Sequence, residues 1–456
     1  MKRYKVLIYI LTLFLLLCSC GNDAELPRRP LSDRTAEDIS SQLQDTPLEE
    51  PLMEPSISRT LTITAGDIHK DYLDFRKKLF QKEYPDVDIQ INYYPYPEMT
   101  DDTTYATRIA TDLASGLGAD LIELYSLPFH KYAMQGYFED LYPYMDSDME
   151  LTRDCYYPNI LKALETDGKL YRFVTVMNYK LYTVNKDYES ILEEELRGRY
   201  SLKYEELTAM CDKVKNTLPP GMSMYPTNYY SVFTAIRMEK GAIFDLRGGL
   251  VNFGYDFLEL INHIKPYAVP EFDVTYKPAP DENSLFRHSS LLLGGSFSAA
   301  EKDSAFTGSW LIEDSKGNIP FYGIMAYAIN AKSDNKKLAW EFLKLLTDDV
   351  QTGGSIGYPD YLPARKDEYW TDYTERKLIF FRFNSDAYPR GQDKEFMQTI
   401  FERMDKFHQM LNYYDDEDAF FNEICFSAVK DYRLGLIDEQ GLASRLQEKL
   451  TLYVNE

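Results

Sequence analysis

The chain has 456 residues, which is long for one domain and predicts two. Hydrophobic residues make up 44% and charged residues 27%, so most of the chain is expected to fold around a substantial core. The formal net charge of -23 repels phosphate backbones, and this excludes nucleic acid from the predicted partners.

The first segment has the features of a signal peptide. Three basic residues lie within the first five positions, and an apolar run follows over 6–17 with only Thr12 as a polar interruption. This run is too short to span a bilayer as a mature helix, but its length and basic flank are typical of a secretory leader. Residues 1–19 are therefore predicted to be a signal peptide.

The leader ends in Leu17-Cys18-Ser19-Cys20-Gly21, which resembles a bacterial lipobox. The resemblance implies that Cys20 becomes the new N-terminus and carries lipid. Two or more acyl chains would provide stable anchoring, so the membrane is a predicted partner through this anchor alone. The alternative is an ordinary secretory cleavage site with an incidental cysteine.

Residues 20–57 are predicted to be a lipidated cysteine followed by a disordered tether, because five prolines interrupt an acidic stretch without periodicity. Beyond the tether only Cys155, Cys211 and Cys425 remain. Three distant cysteines without a C-x-x-C motif do not form a disulfide framework, and buried inert thiols are expected.

The regular part begins with a strand at 61–66, a helix over 72–80 that ends at Tyr84-Pro85, and an alternating strand at 87–91. This order predicts a right-handed parallel crossover and an α/β first lobe. The further predicted elements are helices at 104–115, 130–135, 203–216, 256–264 and 335–347, strands at 120–124, within 169–184, at 289–293 and at 321–330, and two helices in the tail. No later segment predicts a transmembrane helix.

Several segments resemble the large extracellular solute-binding family to which maltose-binding protein belongs. The most specific is 327–342, YAINAKSDNKKLAWEF. Weaker ones lie at 75–91, 114–122, 132–141, 168–171 and 184–187. Residues 357–364 and the terminal LYVNE resemble members from Gram-positive bacteria. The resemblance extends in pieces over most of 60–456.

The resemblance implies an α/β, two-lobed periplasmic-binding-protein-like fold of type II. Each lobe is expected to be a mixed, mostly parallel sheet flanked by helices, with hinge crossovers between the lobes. We expect lobe 1 to comprise 58–172 and about 322–375, and lobe 2 to comprise about 173–321 and 376–456.

The same resemblance implies the function. We expect a monomeric, lipid-anchored solute-binding protein of an ABC importer on the extracytoplasmic face of the cell membrane of a Gram-positive bacterium. It would capture a carbohydrate, specifically an oligosaccharide, and deliver it to the permease transmembrane subunits. No cofactor, metal or catalytic residue is expected.

Ligands bind beyond the carboxyl ends of parallel strands, and this rule nominates five site residues. Asp67 follows the first strand. Its carboxylate is expected either to accept hydrogen bonds from ligand hydroxyls or to cap the N-terminus of a helix. Tyr125 and Ser126 follow strand 120–124, and Asn178 and Tyr179 lie at the crossover into lobe 2.

Trp310 is the leading candidate for stacking on a sugar ring, but two alignments with the family are open. In one, Gly308-Ser309-Trp310 matches the cleft tryptophan segment. In the other, Leu291 to Leu293 fill that place, so Ser296 and Phe297 face the ligand. Further aromatic candidates are Tyr230, Tyr322 and Tyr358.

Enzyme motifs are missing from the sequence. Ser333-Asp-Asn-Lys336 contains both S-x-x-K and S-D-N, but one turn cannot provide two separate catalytic elements, and helix capping is the better interpretation. Two other classes stay open: a lipid-anchored glycoside hydrolase, and a binding protein for a sensor or for peptides.

Overall fold

The computed structural model describes residues 59–95, 104–218, 232–246, 248–265, 285–290, 306–347, 362–366, 394–416 and 418–455. The predicted signal peptide, Cys20 and tether lie outside these residues. Within them, no helix is long and apolar enough to cross a membrane.

The described strands are β1 Arg59–Gly66, β2 Val87–Tyr94, β3 Leu121–Glu123, β4 Phe173–Asn185, β5 Ser201–Lys203, β6 Phe244–Asp245, β7 Leu250–Val251, β8 Phe286–Ser290, β9 Phe306–Glu313, β10 Pro320–Ile329, β11 Leu362–Pro363 and β12 Tyr413–Tyr414.

The described α-helices are α1 Lys70–Glu83, α2 Thr104–Ser115, α3 Phe129–Met134, α4 Tyr142–Ser147, α5 Pro158–Leu164, α6 Lys186–Glu189, α7 Glu193–Leu196, α8 Tyr204–Val214, α9 Val232–Met238, α10 Lys240–Ile243, α11 Tyr255–Ile264, α12 Lys336–Thr347, α13 Lys394–Met410, α14 Ala419–Arg433 and α15 Glu439–Asn455. Short 3-10 turns cover Asp67–His69 and Arg153–Cys155.

The first sheet begins with the predicted parallel unit. Strand β1 pairs in parallel with β2, with Ile63 opposite Ile91, and in parallel with β3. Alternating apolar residues place Leu61, Ile63 and Ile89 in the core. The antiparallel strand β10 then joins β3 to β4.

Strand β4 crosses from one half of the molecule to the other. Its first half pairs antiparallel with β10, from Phe173 to Tyr179, and its second half pairs antiparallel with β8 and β9, from Lys180 to Asn185. All of its residues except Lys180 are buried, including the polar Thr175, Asn178, Thr183 and Asn185. The main path of strands is β2-β1-β3-β10-β4-β9-β5, and β5 pairs with β9 in parallel.

Two separate clusters of buried side chains lie on either side of this crossover and define the two lobes. The lobe 1 core includes β4 up to Leu181. The lobe 2 core begins with Tyr182 and includes α14 and α15. The mixed α/β fold with two lobes agrees with the predicted fold class.

The tail is divided between the lobes, whereas the sequence assigned all of 376–456 to lobe 2. Met404, Phe407 and Leu411 pack in the lobe 1 core. Strand β12 then pairs in parallel with β10, Asp415 and Asp416 follow it, and α14 of lobe 2 begins at Ala419. This segment is a second connection between the lobes.

Ser333 forms a turn just before the helix that the sequence predicts it to cap. Its hydroxyl accepts the backbone N–H of Asn335 at 2.9 Å and donates to Asp120 at 2.6 Å. Helix α12 follows, with Leu338, Phe342 and Leu346 in the core. The Ser333 hydroxyl is thus used for local structure.

Candidate functional site

A pocket opens where β3 ends, beside an irregular part of β10 and the start of the second connection. Its lining residues are Glu123, Leu124, Tyr125, Ser126, Gly323, Ile324, Ala326, Tyr414, Asp415 and Asp416. They come from lobe 1 and from the connection to lobe 2.

Gly323 allows the connection to approach β10 closely. The pairing of β10 with β4 shifts register between Gly323 and Ala326. A Cβ at Gly323 would lie 2.6 Å from the Tyr414 hydroxyl oxygen, so a larger residue would push the ring away. Instead the Gly323 N–H donates to that hydroxyl at 3.2 Å.

Ser126 turns the chain at the pocket. Its φ of 53° is in the left-handed region, which costs a non-glycine residue free energy and is often found at functional sites. The Ser126 carbonyl accepts the Ala419 N–H at 3.2 Å, which joins this turn of lobe 1 to the first residue of α14. Tyr125, just before it, is half-buried at the pocket.

Glu123 is held in place by two buried groups. The His69 Nδ1 atom lies 2.6 Å from Glu123 Oε1, and the Gly66 N–H donates to Oε2 at 2.7 Å. Burial alone would lower the pKa of His69, but the charge of Glu123 and a hydrogen bond to it outweigh that effect and raise this pKa above its usual value.

Asp415 and Asp416 face basic side chains from both lobes. The Lys240 ammonium of α10 lies 2.7 Å from Asp415 Oδ1 and 3.4 Å from Asp416 Oδ1. Arg237 lies 3.6 Å from Asp415 Oδ2, and His130 Nε2 lies 3.6 Å from Asp416 Oδ2. Burial would raise the pKa of Asp415, but Lys240 and Arg237 hold it well below its usual range.

The Asp416 carboxylate is nearly buried beside the pocket. Its side chain is 9% exposed, and its Oδ2 atom is buried, makes no hydrogen bond in the described part of the chain and faces His130 at 3.6 Å. Asp416 and Tyr125 both line the pocket. The site thus combines carboxylates with an aromatic ring.

The structure brings two of the predicted site residues, Tyr125 and Ser126, into the pocket. Asp67 begins the exposed turn after β1, next to Gly66, and is not among the lining residues. The half-buried Tyr322 lies opposite Asn178 in the pairing of β10 with β4. Asn178 is buried, and its side-chain oxygen accepts the Tyr179 N–H at 2.8 Å.

Tyr179 and Trp310 lie in the cores rather than at the pocket. Tyr179 is fully buried against the rings of Phe407 and His408. Trp310 is 5% exposed in the lobe 2 core, and a Cβ at Gly308 would come within 2.1 Å of its ring. Neither residue is among the residues that line the pocket, because neighbouring side chains cover both rings. Ser296, Phe297, Tyr230 and Tyr358 lie outside the described residues.

The sequence analysis missed Glu123, Gly323 and the segment Tyr414-Asp415-Asp416. The sequence predicts Glu123 only as part of the strand at 120–124. The acidic run after Tyr413-Tyr414, between two helices, was the available signal for the connection. Its position beside β10 depends on a pairing between residues that are 93 positions apart, which local patterns do not specify.

Comparisons with known proteins identify the family and the fold of the chain. A family model described as bacterial extracellular solute-binding protein matches residues 67–352, more than half of the chain. The chain belongs to this family. Membership implies an extracytoplasmic location and a binding protein rather than an enzyme. A comparison with curated protein sequences finds no match for this family member.

Solved structures share its fold at low sequence identity. MalE, the sugar-binding protein of Xanthomonas citri, aligns with a TM-score of 0.59 at 14% identity and covers 87% of this chain and 97% of its own. The ABC substrate-binding protein Lmo0181 from Listeria monocytogenes, in complex with cycloalternan, gives 0.55 at 16% over 87% and 99%. An ABC transporter solute-binding protein from Thermotoga lettingae, bound with α-D-tagatose, gives 0.51 at 17% over 87% and 100%.

Proposed function

We propose that this solute-binding protein captures a neutral carbohydrate, specifically an oligosaccharide, and delivers it to the transmembrane subunits of an ABC importer. Lipid on Cys20 would hold it, as a monomer, on the outer face of a Gram-positive cell membrane. The observation that carries the proposal is the pocket that Asp416 and Tyr125 line together. Carboxylates accept sugar hydroxyls, and aromatic rings pack on apolar sugar faces.

Relatives support the choice of ligand class. The structures compared above include complexes with cycloalternan and with α-D-tagatose, both carbohydrates. All of them are below 25% identical to this chain, so the sugar itself must be found by experiment. In this chain, Glu123, Asp415 and Asp416 line the pocket, and carboxylates of this kind accept hydrogen bonds from the hydroxyls of neutral sugars.

The test is a thermal-shift screen of residues 58–456 against neutral, acidic and amino sugars. We expect a neutral oligosaccharide to raise the melting temperature, because a ligand that binds only the folded protein stabilises it. Asp416→Ala should then weaken binding of that sugar about 10- to 100-fold, the usual effect of losing a charged hydrogen bond.

Asp146→Asn is the matched control, because Asp146 forms an exposed pair with Arg153 away from the pocket lining. Its affinity should equal that of the wild type. No stabilisation by any sugar would contradict the proposed function, and conversion of the sugar during incubation would indicate a glycoside hydrolase instead.

The lipid anchor has its own test. In the full-length chain expressed in a Gram-positive host, Cys20→Ser should move the protein from the membrane fraction to the medium and abolish labelling by radioactive palmitate. Cys18→Ser, two residues earlier in the leader, should leave both unchanged. Palmitate labelling that survives Cys20→Ser would rule out lipidation at this cysteine.

A further inference from the structure

Tyr453, on α15, is a buried phenol next to the segment that carries two of the pocket carboxylates. It is 8% exposed, and its hydroxyl donates to Asp418 Oδ2 at 2.6 Å. Its ring stacks on the ring of Phe420, with ring centres 6.1 Å apart. Tyr453 belongs to the LYVNE segment, to which the site described above gives no role.

Asp418 uses both of its carboxylate oxygens inside the protein. It is 1% exposed, and its Oδ1 atom accepts the N–H groups of Phe420 and Phe421 at 2.9 and 3.2 Å, which caps α14. The Oδ2 atom accepts the Tyr453 hydroxyl. Burial and the charge of Asp416 raise the pKa of Asp418 to about 6, and the hydrogen bond from Tyr453 opposes this rise. The phenol therefore stabilises the ionised carboxylate.

Two backbone hydrogen bonds fix the chain on either side of the pocket residues Asp415 and Asp416. On one side, the Asp415 N–H donates to the Phe321 carbonyl of β10 at 2.8 Å. On the other side, the Ala419 N–H donates to the Ser126 carbonyl at 3.2 Å. The hydrogen bond from the phenol is a third attachment of the same stretch, and it lies between the pocket residues and the second backbone bond.

Tyr453 is itself held from the lobe 1 side. The Lys131 ammonium, on α3, lies 3.8 Å from the centre of the Tyr453 ring and also donates to the Tyr453 carbonyl. A cation over the face of a tyrosine ring is attracted by the negative charge of that face. These contacts fix both the ring and the backbone of Tyr453 beside Asp418.

We propose that Tyr453 is a positioning residue for the pocket: its hydroxyl holds Asp418, and with it the neighbouring pocket carboxylates, in place. This rests on the proposed function, since Asp415 and Asp416 are among the groups offered to the sugar. Without the hydroxyl, Asp418 Oδ2 would be a buried acceptor with its donor removed, which is costly. The segment would then shift toward water, and the pocket carboxylates would be displaced with it.

Tyr453→Phe removes one oxygen atom and keeps the ring, so it tests the hydroxyl alone. In the sugar-free protein, hydrogen–deuterium exchange should become about 10-fold faster at the amides of Ala419, Phe420 and Phe421. Calorimetric titration uses the neutral oligosaccharide that stabilises the wild type most in the thermal-shift screen, and its affinity should fall about 5- to 10-fold. A tyrosine with a structural role alone would lower the melting temperature and leave the affinity of the folded protein unchanged.

Tyr432→Phe is the matched control. Tyr432 donates to Glu439 at 2.9 Å, so it joins α14 to α15 through the same kind of bond, near the end of α14 that is farther from the pocket. Its exchange at the three amides and its sugar affinity should equal those of the wild type. Lys131→Met is the second variant if Tyr453→Phe does not fold, and it should cause the same changes to a smaller extent, because the hydroxyl remains.

The outcomes separate the two proposals. Wild-type exchange at the three amides in folded Tyr453→Phe would overturn the positioning role, and so would faster exchange with unchanged sugar affinity. If the wild type binds no sugar, the proposed function fails, and the exchange rates still decide whether Tyr453 holds the pocket segment.

Discussion

Lys240→Met is expected to lower the free energy of unfolding by about 3–5 kcal/mol, because removing one partner of a buried ion pair leaves the other charge poorly compensated. Asp415 would keep the more distant Arg237, at 3.6 Å, and the nearly buried Asp416 would lose its lysine partner. Burial lowers the pKa of a lysine, yet here the neighbouring aspartates raise the pKa of Lys240 well above its usual value, which shows how strongly this site favours the ion. Urea unfolding monitored by circular dichroism measures the effect.

Two variants give this prediction its controls. Lys162→Met removes an ammonium that is 76% exposed and paired with Glu165, and its cost should stay within about 1 kcal/mol. Asp415→Asn added to Lys240→Met should recover part of the lost stability, because it removes one of the uncompensated charges. A loss below about 1 kcal/mol for Lys240→Met would mean that water or another group replaces the ammonium.

The local elements of this fold were predictable because their signals are local. The alternation of apolar and polar residues predicts β1 and β2, and the apolar stripe of Leu338, Phe342 and Leu346 predicts α12. Strand β9 was missed, because Gly308 and Ser309 interrupt its alternation just before Trp310. The Gly308 residue lies under the Trp310 ring, a contact that explains the glycine only once the structure is seen.

The candidate site was only partly predictable, for a different physical reason. The rule that ligands bind beyond the carboxyl ends of parallel strands predicts Tyr125 and Ser126 as site residues. Their positions follow from β3 alone. The carboxylates of Asp415 and Asp416 reach the same pocket through the pairing of β12 with β10, and Lys240 reaches them from lobe 2. Such contacts between distant segments are set by packing of the whole chain, so one sequence does not reveal them.

His408 is expected to make the protein sensitive to acid. Its ring is fully buried on α13, with ring centres at 5.5 Å from Tyr157 and 5.6 Å from Tyr179. Burial lowers the pKa of His408 from 6.5 to about 3. Below pH 6.5 the unfolded chain therefore takes up a proton that the folded chain excludes until about pH 3. Stability is complete above pH 6.5 and falls as the pH decreases through this window.

His408→Gln removes this proton uptake, so its free energy of unfolding should fall less between pH 7 and pH 4 than that of the wild type, by about 3 kcal/mol. Urea unfolding at pH 7, 5 and 4 measures the difference.

His69 acts in the opposite direction, since its raised pKa adds stability below pH 6.5 that is lost as the pH rises through the pKa of His69 in the folded protein. That contribution is present in both chains and cancels. His263→Gln, at a half-exposed position of α11, should follow the wild type. Equal slopes for His408→Gln and the wild type would show that His408 is protonated in the folded protein.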